Sequence, residues 1–204
     1  MLDNRLRFLK ERLTMPIARL IGSRLQPTTI TVAAAIVGLA AAAATAIGVY
    51  PLALGLWLLN RVIDGLDGSV ARLTGRQSDL GGYLDLLLDV VVYSAIPVAL
   101  VIERSDHRLS LVVLLLLALF YINITSWLYL SALIEKRALA LRDRTILTSI
   151  SMPSGMVEGG ETIAIYALVL LMPQHALVLL SVMSGALAVG IIQRVCWALR
   201  NLDR

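Results

Sequence analysis

The stretch from Asp64 to Asp89, DGLDGSVARLTGRQSDLGGYLDLLLD, places five aspartates between two long apolar runs. Asp64 and Asp67 are three residues apart, and Asp85 and Asp89 are four apart. Each pair therefore lies on one face of its segment if that segment is helical. The glycines between the two pairs allow the chain to reverse direction. We predict two antiparallel helices whose four carboxylates converge at one end of the pair.

The composition of the whole chain indicates a membrane protein. Hydrophobic residues make up 58% of the 204 residues and charged residues only 16%, which is too apolar for an ordinary soluble domain. The net charge of +4 does not indicate nucleic-acid binding, because the basic residues lie between apolar runs, where anionic lipid headgroups account for them. The single cysteine, Cys196, excludes an intramolecular disulfide.

Six apolar segments approach the roughly 20 residues that a membrane-crossing helix needs. We therefore predict an all-α integral membrane protein with six transmembrane helices and an N-terminal amphipathic interfacial helix. In domain terms, residues 1–25 form the amphipathic juxtamembrane helix and residues 26–204 form the six-helix membrane domain. The predicted spans are approximately 28–49, 51–73, 80–102, 109–134, 156–173 and 175–197.

The distribution of lysine and arginine predicts the orientation in the membrane. Basic residues cluster before the first span, between spans two and three, between spans four and five, and at the C-terminus. On the opposite side lie Arg104 and Arg108, which Glu103 and Asp106 offset. The positive-inside rule predicts that both termini, and with them the aspartates, face the cytoplasm across an inner (cytoplasmic) membrane.

The segment before the first span has a different pattern. Within residues 2–24, apolar residues recur at helical spacing with arginines between them: Leu2, Leu6, Leu9, Leu13, Ile17 and Leu20. This pattern predicts an amphipathic helix that lies in the headgroup layer. The alternative interpretation is a helix that packs against the membrane spans.

The four converging aspartates must be neutralised, because charge inside a membrane costs at least a few kcal/mol per residue. Carboxylate oxygens in this number suit a hard divalent ion such as Mg²⁺, with Mn²⁺ or Ca²⁺ as alternatives. Two ions about 4 Å apart would form a phosphoryl-transfer site. A cation- or proton-coupled transporter is the alternative function. Gly68 leaves room for a phosphate, and the Arg72 guanidinium can donate two hydrogen bonds to one. These two residues therefore favour a phosphate ester as the ligand over a bare cation.

These residues resemble the signature of the CDP-alcohol phosphotransferase (CDP-alcohol phosphatidyltransferase) family, Asp-x2-Asp-Gly-x2-Ala-Arg-x8-Gly-x3-Asp-x3-Asp. All fixed positions and all spacings match, and they fall on Asp64, Asp67, Gly68, Ala71, Arg72, Gly81, Asp85 and Asp89. The stretch QPTTIT at 26–31 is similar to the family's entry to its first span. The resemblance implies six membrane helices, an N-terminal interfacial helix and a homodimer.

The resemblance also implies a metal-dependent transferase of phospholipid biosynthesis. It would move a substituted phosphate from CDP-diacylglycerol to an alcohol and release CMP. The implied metal ligands are Asp64, Asp67, Asp85 and Asp89, for two Mg²⁺ or Mn²⁺ ions. Asp89 would in addition be the general base. The implied contacts to the CDP-linked donor are Gly68, Ala71, Arg72, Ser78, Thr28 and Thr31.

The acceptor site is expected in residues 135–162, because the family uses this region for that purpose. Glu158 and Glu161 either bind the acceptor or begin a helix at the membrane surface, where acidic residues favour the helix dipole. Arg142 and Arg144 either bind an acceptor phosphate or only contribute positive-inside charge. Relatives that use inositol phosphate carry arginines near the start of the fifth helix. The corresponding MVEGGET has none, which favours an unphosphorylated polyol or amino alcohol over inositol phosphate or glycerol phosphate.

Two polar residues precede the first aspartate and belong to the same predicted span. Asn60 and Arg61 come directly before the signature, and their position predicts that they face the polar cavity. Arg61 is also placed to form an ion pair with one of the aspartates.

Overall fold

The computed structural model describes residues 25–140 and 159–202, together with Met15, Pro16, Ala18 and Leu20. The two long described ranges form six α-helices and one short 3₁₀ turn, Pro173–His175. The helices are α1 (Pro27–Ala46), α2 (Tyr50–Thr74), α3 (Asp79–Arg104), α4 (His107–Ala140), α5 (Gly159–Leu171) and α6 (Ala176–Asn201).

Four of the described helices, α1, α3, α4 and α6, are long and apolar enough to cross a membrane. Helix α2 has 25 residues, but it carries four charged side chains, Arg61, Asp64, Asp67 and Arg72. Helix α5 has 13 described residues, which span about 20 Å. The chain is therefore an all-helical protein of membrane type, and each predicted span coincides with one described helix.

The helix ends differ from the predicted span ends for local reasons. Helix α1 ends at Ala46 instead of residue 49, because Gly48 adopts a positive φ of 75° and turns the chain. Helix α4 runs to Ala140, six residues beyond the predicted span. The charged stretch after residue 134 continues as helix, since Glu, Lys, Arg and Ala are good helix formers.

The turn between α2 and α3 is built from a glycine stop and a serine cap. Gly75 ends α2 in the left-handed conformation at φ 64°, and Ser78 begins α3 by accepting a hydrogen bond from the Gly81 N–H at 3.1 Å. The helices are antiparallel, because Arg61 meets Asp89 about halfway along both helices while Tyr50 meets Glu103 at the end away from the turn. The aspartate signature therefore lies at the turn end of the pair.

Helix α1 packs closely against both α2 and α3 through small residues. A Cβ added at Gly38 would lie 2.6 Å from Val92 Cγ1 and 2.9 Å from Asn60 Nδ2. Asn60 also donates a hydrogen bond to the Ala34 carbonyl at 2.7 Å. Only glycine fits at this crossing, so α1 lies close enough to complete the wall of the polar cavity.

An aromatic cluster joins α2, α3 and α5 next to this polar region. The rings of Trp57, Tyr93 and Tyr166 lie 5.6 to 6.0 Å apart between centroids. The Trp57 indole N–H donates to the Ile163 carbonyl at 3.2 Å, and the Tyr166 hydroxyl donates to the Tyr93 carbonyl at 2.8 Å. Both polar tips are therefore satisfied inside an apolar core.

The outer surface of the bundle is apolar. Leu111, Leu114 and Leu115 of α4 are 53%, 64% and 54% exposed, and similar residues occur on the other helices. A soluble protein would not expose apolar residues in this number. The surface fits hydrocarbon as its solvent, in agreement with the membrane assignment.

Several predicted features lie outside the described residues. These include most of the predicted N-terminal amphipathic helix, and also Arg142, Arg144 and Glu158. Among the described residues near the N-terminus, Ala18 is fully buried in a small cluster with Ile30, Leu66 and Val70, whereas Leu20 is 78% exposed. The contact of Ala18 fits the alternative of a segment packed against the spans.

Candidate functional site

The structure brings three of the four signature aspartates into one cluster. Asp64 and Asp67 of α2 and Asp85 of α3 each offer a carboxylate oxygen, and these oxygens lie within 4.8 Å of one another. One helical turn separates the first two, and the glycine stop at the end of α2 lets α3 supply the third. Three hard oxygen donors at this separation fit a divalent cation such as Mg²⁺ or Mn²⁺.

The most buried carboxylate of the cluster is held by local hydrogen bonds. Asp67 is 7% exposed. Its Oδ2 accepts from the Thr31 hydroxyl of α1 at 2.6 Å, and its Oδ1 accepts from the Gly68 N–H. The Pro27 carbonyl lies 3.1 Å from the same Thr31 Oγ1 and shares the single hydroxyl hydrogen. Thr31, predicted as a diphosphate contact, thus orients a metal-ligand candidate in this structure.

The fourth aspartate, Asp89, is paired with an arginine. Asp89 Oδ1 accepts from Arg61 Nη2 at 2.9 Å, and Arg61 Nη1 lies 3.8 Å from Asp64 Oδ2. The prediction that Arg61 pairs with an aspartate is therefore confirmed. The same guanidinium donates to Asn60 Oδ1 at 2.7 Å and to the Tyr93 hydroxyl at 2.9 Å.

Arg61 is also enclosed by aromatic rings. Its guanidinium carbon lies 4.7 Å from the ring centroid of Trp57 and 4.9 Å from that of Tyr93, within the range of a cation–π contact. Hydrogen bonds and ring contacts together fix the guanidinium in one orientation. The charge of Arg61 is therefore fixed within the site. The contact of Tyr93 with this guanidinium was not predicted from the sequence.

A small, partly open cavity lies between α1, α2 and α3. Both polar and apolar side chains line it. Its lining side chains are Thr31, Ala34, Ala35, Asn60, Arg61, Asp64, Asp85, Leu88, Asp89 and Val92. The prediction that Asn60 and Arg61 face the polar cavity is confirmed.

Three of the predicted donor contacts lie on α2 between the aspartate cluster and the turn. Gly68 and Ala71 are half-buried on α2, and Arg72 is exposed one turn beyond Gly68. A Cβ at Gly68 would have a single neighbour within 4 Å among the described atoms, Arg72 Nη1 at 3.4 Å. Gly68 and Arg72 are therefore neighbours on one face of α2.

The remaining two predicted contacts lie on either side of this surface. Thr28 is half-buried in the first turn of α1. Ser78 is exposed, and its hydroxyl accepts the cap hydrogen bond of α3. Of the predicted acceptor residues, Glu161 is half-buried in the first turn of α5.

A second buried arginine lies away from the aspartates. Arg194 of α6 is 5% exposed and donates from Nη1 to Oδ1 and to the carbonyl of Asn123 of α4, at 2.8 and 3.1 Å. Its Nε is buried and has no hydrogen-bond partner among the described atoms. In the sequence, Arg194 is one of the basic residues near the C-terminus, and its position inside the predicted span 175–197 was the signal that could have marked it as buried.

Comparison with known proteins identifies relatives of this chain. The model of a family described as CDP-alcohol phosphatidyltransferase matches residues 24–193. The inner membrane protein YnjF of Escherichia coli is 33% identical over 147 residues, which cover 72% of this chain and 70% of YnjF. The archaetidylinositol phosphate synthase of Aeropyrum pernix is 32% identical and covers 98% of both chains.

Solved structures share the fold. The phosphatidylinositol phosphate synthase of Mycobacterium tuberculosis with CDP-DAG bound superposes with a TM-score of 0.67 at 21% identity, covering 90% of this chain and 92% of that one. The same enzyme in complex with manganese and citrate gives a TM-score of 0.61, also at 21% identity, over 89% and 87% of the two chains.

Proposed function

The chain belongs to the CDP-alcohol phosphatidyltransferase family, and we propose that it transfers a phosphatidyl group from CDP-diacylglycerol to an alcohol in phospholipid biosynthesis, with release of CMP. The observation that carries this proposal is the cluster of Asp64, Asp67 and Asp85 beside the Arg61–Asp89 pair. A tightly spaced carboxylate set next to a separately held carboxylate supplies both a metal site and a base.

Metal binding is proposed for the aspartates of the signature. Asp64, Asp67 and Asp85 would hold the first ion, and Asp89 would contribute when a second ion is present. Mg²⁺ is proposed as the physiological ion, with Mn²⁺ as a substitute, because the donor set contains only hard oxygens. When bound, the ions neutralise the donor diphosphate and stabilise the charge that develops on the departing CMP.

The chemical step proposed for Asp89 is proton removal. The acceptor hydroxyl gives its proton to an Asp89 carboxylate oxygen, and the acceptor oxygen forms a bond to the phosphorus that carries the diacylglycerol. The bond from that phosphorus to the bridging oxygen breaks, and that oxygen leaves with CMP. Arg61 holds Asp89 through Oδ1, which leaves Oδ2 to accept the proton.

Donor binding is proposed for the surface between the cluster and the turn. Gly68 and Ala71 would let the nucleotide approach α2 closely, and Arg72 would pair with a phosphate through its guanidinium fork. Ser78 would contact the donor at the start of α3. Thr28 and Thr31 would face the diphosphate from α1.

We also propose how the chain is arranged in the membrane. Residues 26–204 would form a six-span domain, with residues 1–25 as an amphipathic juxtamembrane helix. Both termini and the aspartate site would face the cytoplasm across the inner membrane. The functional unit would be a homodimer. With the aspartate site at the cytoplasmic surface of the membrane, the acyl chains of the donor would stay in the bilayer while its head group reaches the carboxylates.

The test is CMP release from CDP-diacylglycerol by the purified protein in detergent, with and without Mg²⁺. Relatives include an archaetidylinositol phosphate synthase and a CDP-diacylglycerol–serine O-phosphatidyltransferase, so the acceptor panel includes inositol phosphate, serine, glycerol phosphate and polyols. We expect Mg²⁺-dependent CMP release with one acceptor class, and a matching lipid product.

Asp89→Asn is the variant that tests the base. We expect CMP release to fall about 10²- to 10⁴-fold while donor binding is largely retained. No metal-dependent CMP release with any acceptor would favour the cation- or proton-coupled transporter instead.

A further inference from the structure

Arg61 lies between the cluster of three signature aspartates and the fourth, Asp89. Asp64, Asp67 and Asp85 converge within 4.8 Å. Asp89 lies beside them but is paired with Arg61 at 2.9 Å. The pairing is not incidental, because the guanidinium also has partners on Asn60 and Tyr93 and lies against two aromatic rings.

The enclosure of Arg61 has an energetic consequence. The residue is 9% exposed, so its charge is poorly screened by water and salt. Its Nη1 lies 3.8 Å from Asp64 Oδ2, which places a fixed positive charge against the edge of the carboxylate cluster. Any divalent ion that enters the cluster is repelled by this charge.

We propose that Arg61 is a built-in counter-cation that keeps Asp89 out of the metal cluster until the donor binds. In the donor-free protein, one divalent ion then occupies the cluster of Asp64, Asp67 and Asp85. Asp89 stays paired with Arg61 and keeps the orientation that proton transfer needs. The second ion enters with the donor, whose diphosphate brings the negative charge that offsets Arg61. The inference rests on the proposed function for the role of the donor, but its metal-binding part does not depend on catalysis.

The primary experiment measures Mn²⁺ binding calorimetrically to the full-length protein in detergent without donor. We expect one Mn²⁺ per chain for the wild type. Arg61→Met removes the charge, so we expect the first-ion Kd to fall at least about tenfold and a second ion to bind. Arg61→Gln, which keeps a hydrogen-bonding amide, replaces this variant if Arg61→Met does not fold, and the same outcome is expected.

Two variants serve as controls for charge. Arg61→Lys keeps the positive charge, so we expect its Mn²⁺ Kd to stay within about threefold of the wild type. Arg76→Met removes an exposed charge from the turn after α2, and its Kd should stay within about twofold because solvent screens that position. An unchanged or weaker Kd in folded Arg61→Met or Arg61→Gln overturns the proposal, as do two Mn²⁺ ions on the donor-free wild type.

A kinetic readout separates positioning from a merely structural role. Lysine cannot contact Asn60, Tyr93 and Asp89 together with a planar fork. We therefore expect Arg61→Lys to lower kcat at least about tenfold while the KM for donor changes less than threefold. Normal turnover in this variant overturns the positioning of Asp89. If the wild type shows no transferase activity but the Mn²⁺ series behaves as expected, the proposed function fails and the counter-cation stands.

Discussion

The α2–α3 helix pair has two polar regions, which differ in how their carboxylates are paired with basic side chains. At the end away from the turn, Glu103 is the carboxylate, and it meets Arg104 at 3.5 Å and the Tyr50 hydroxyl at 2.6 Å. Arg104 also donates to the Tyr50 hydroxyl at 3.4 Å. One acid, one base and one hydroxyl form a small neutral set that ties the ends of the two helices together.

The turn end contains more acid than base. Four carboxylates, Asp64, Asp67, Asp85 and Asp89, share this end with the two arginines of α2, Arg61 and Arg72. Among these six side chains of α2 and α3, acidic groups exceed basic groups by two. Glu103 therefore belongs to a clamp between two helices, whereas three aspartates of the turn end form the candidate metal cluster.

The largest effect is expected from removing one carboxylate at the turn end. Asp85→Asn keeps the shape of the side chain but deletes one of three converging donors, so we expect CMP release to fall about 10³-fold. Calorimetry should show Mn²⁺ binding weakened in parallel.

The matched substitution at the far end is Glu103→Gln. We expect CMP release to stay within about twofold, with a stability loss of about 1 kcal/mol from the weakened clamp. Equal losses of activity in the two variants would show that the two ends do not differ in function.

A smaller effect is expected from the hydroxyl that orients Asp67. Thr31→Val removes the 2.6 Å hydrogen bond to Asp67 Oδ2, and we expect Mn²⁺ affinity to fall about 10- to 100-fold, as for other groups that orient metal ligands. Thr45→Val is the matched control, because Thr45 is also buried on α1 but donates to the Ala41 carbonyl of its own helix. Its Mn²⁺ affinity should equal that of the wild type, and a loss there would point to α1 packing instead.

The tight contact of α1 behind the site is tested at Gly38. Gly38→Ala places a Cβ 2.6 Å from Val92 Cγ1. Because Val92 is buried and β-branched, its side chain cannot move aside, and we expect the free energy of unfolding to fall by about 1–3 kcal/mol. Detergent-resistance or thermal unfolding assays measure this loss.

Gly55→Ala in α2 is the control for that substitution, because a Cβ there meets no described atom within 4 Å. Its stability should be unchanged or slightly higher. A loss as large as that of Gly38→Ala would mean that helix glycines matter here for a reason other than the crossing.

The smallest effect is expected at the far-end clamp. Tyr50→Phe removes the hydroxyl that bridges Glu103 and Arg104, so stability should fall by about 1 kcal/mol. CMP release at saturating donor should not change. A large loss of activity would break the comparison, because it would make the far end part of the functional site.

Much of the candidate site could be predicted from the sequence because it depends on the spacing of residues that are close together in the chain. Asp64 and Asp67 share a helical face by their spacing alone, and the glycines between the two aspartate pairs predict the turn that brings Asp85 close. The cap at Ser78 became evident only in the structure, because the sequence predicted Ser78 as a donor contact. Arg61 could be named as a partner for an aspartate, but not for Asp89 in particular. The choice depends on the register between α2 and α3, which many distant contacts determine together.

Other residues of the site carried no readable signal. Tyr93 follows the apolar run Val90–Val92 of α3 and resembles any core aromatic residue in the sequence, although its hydroxyl accepts a hydrogen bond from Arg61 in the structure. Thr31 was expected to face the diphosphate, and its bond to Asp67 joins residues 36 positions apart in the chain. Gly38 resembles any small residue of an alanine-rich helix, although it determines how closely α1 approaches Val92.

The sequence by itself determined the membrane class, the helical segments, the family and the candidate metal ligands, because hydrophobic length, helical period and motif spacing are properties of neighbouring residues. The tertiary structure alone decided which carboxylate is paired with Arg61, which ones remain clustered, and which side chains hold each of them in place. These assignments depend on interhelical distances of a few ångströms, and such distances follow from the packing of whole helices instead of from any short stretch of the chain.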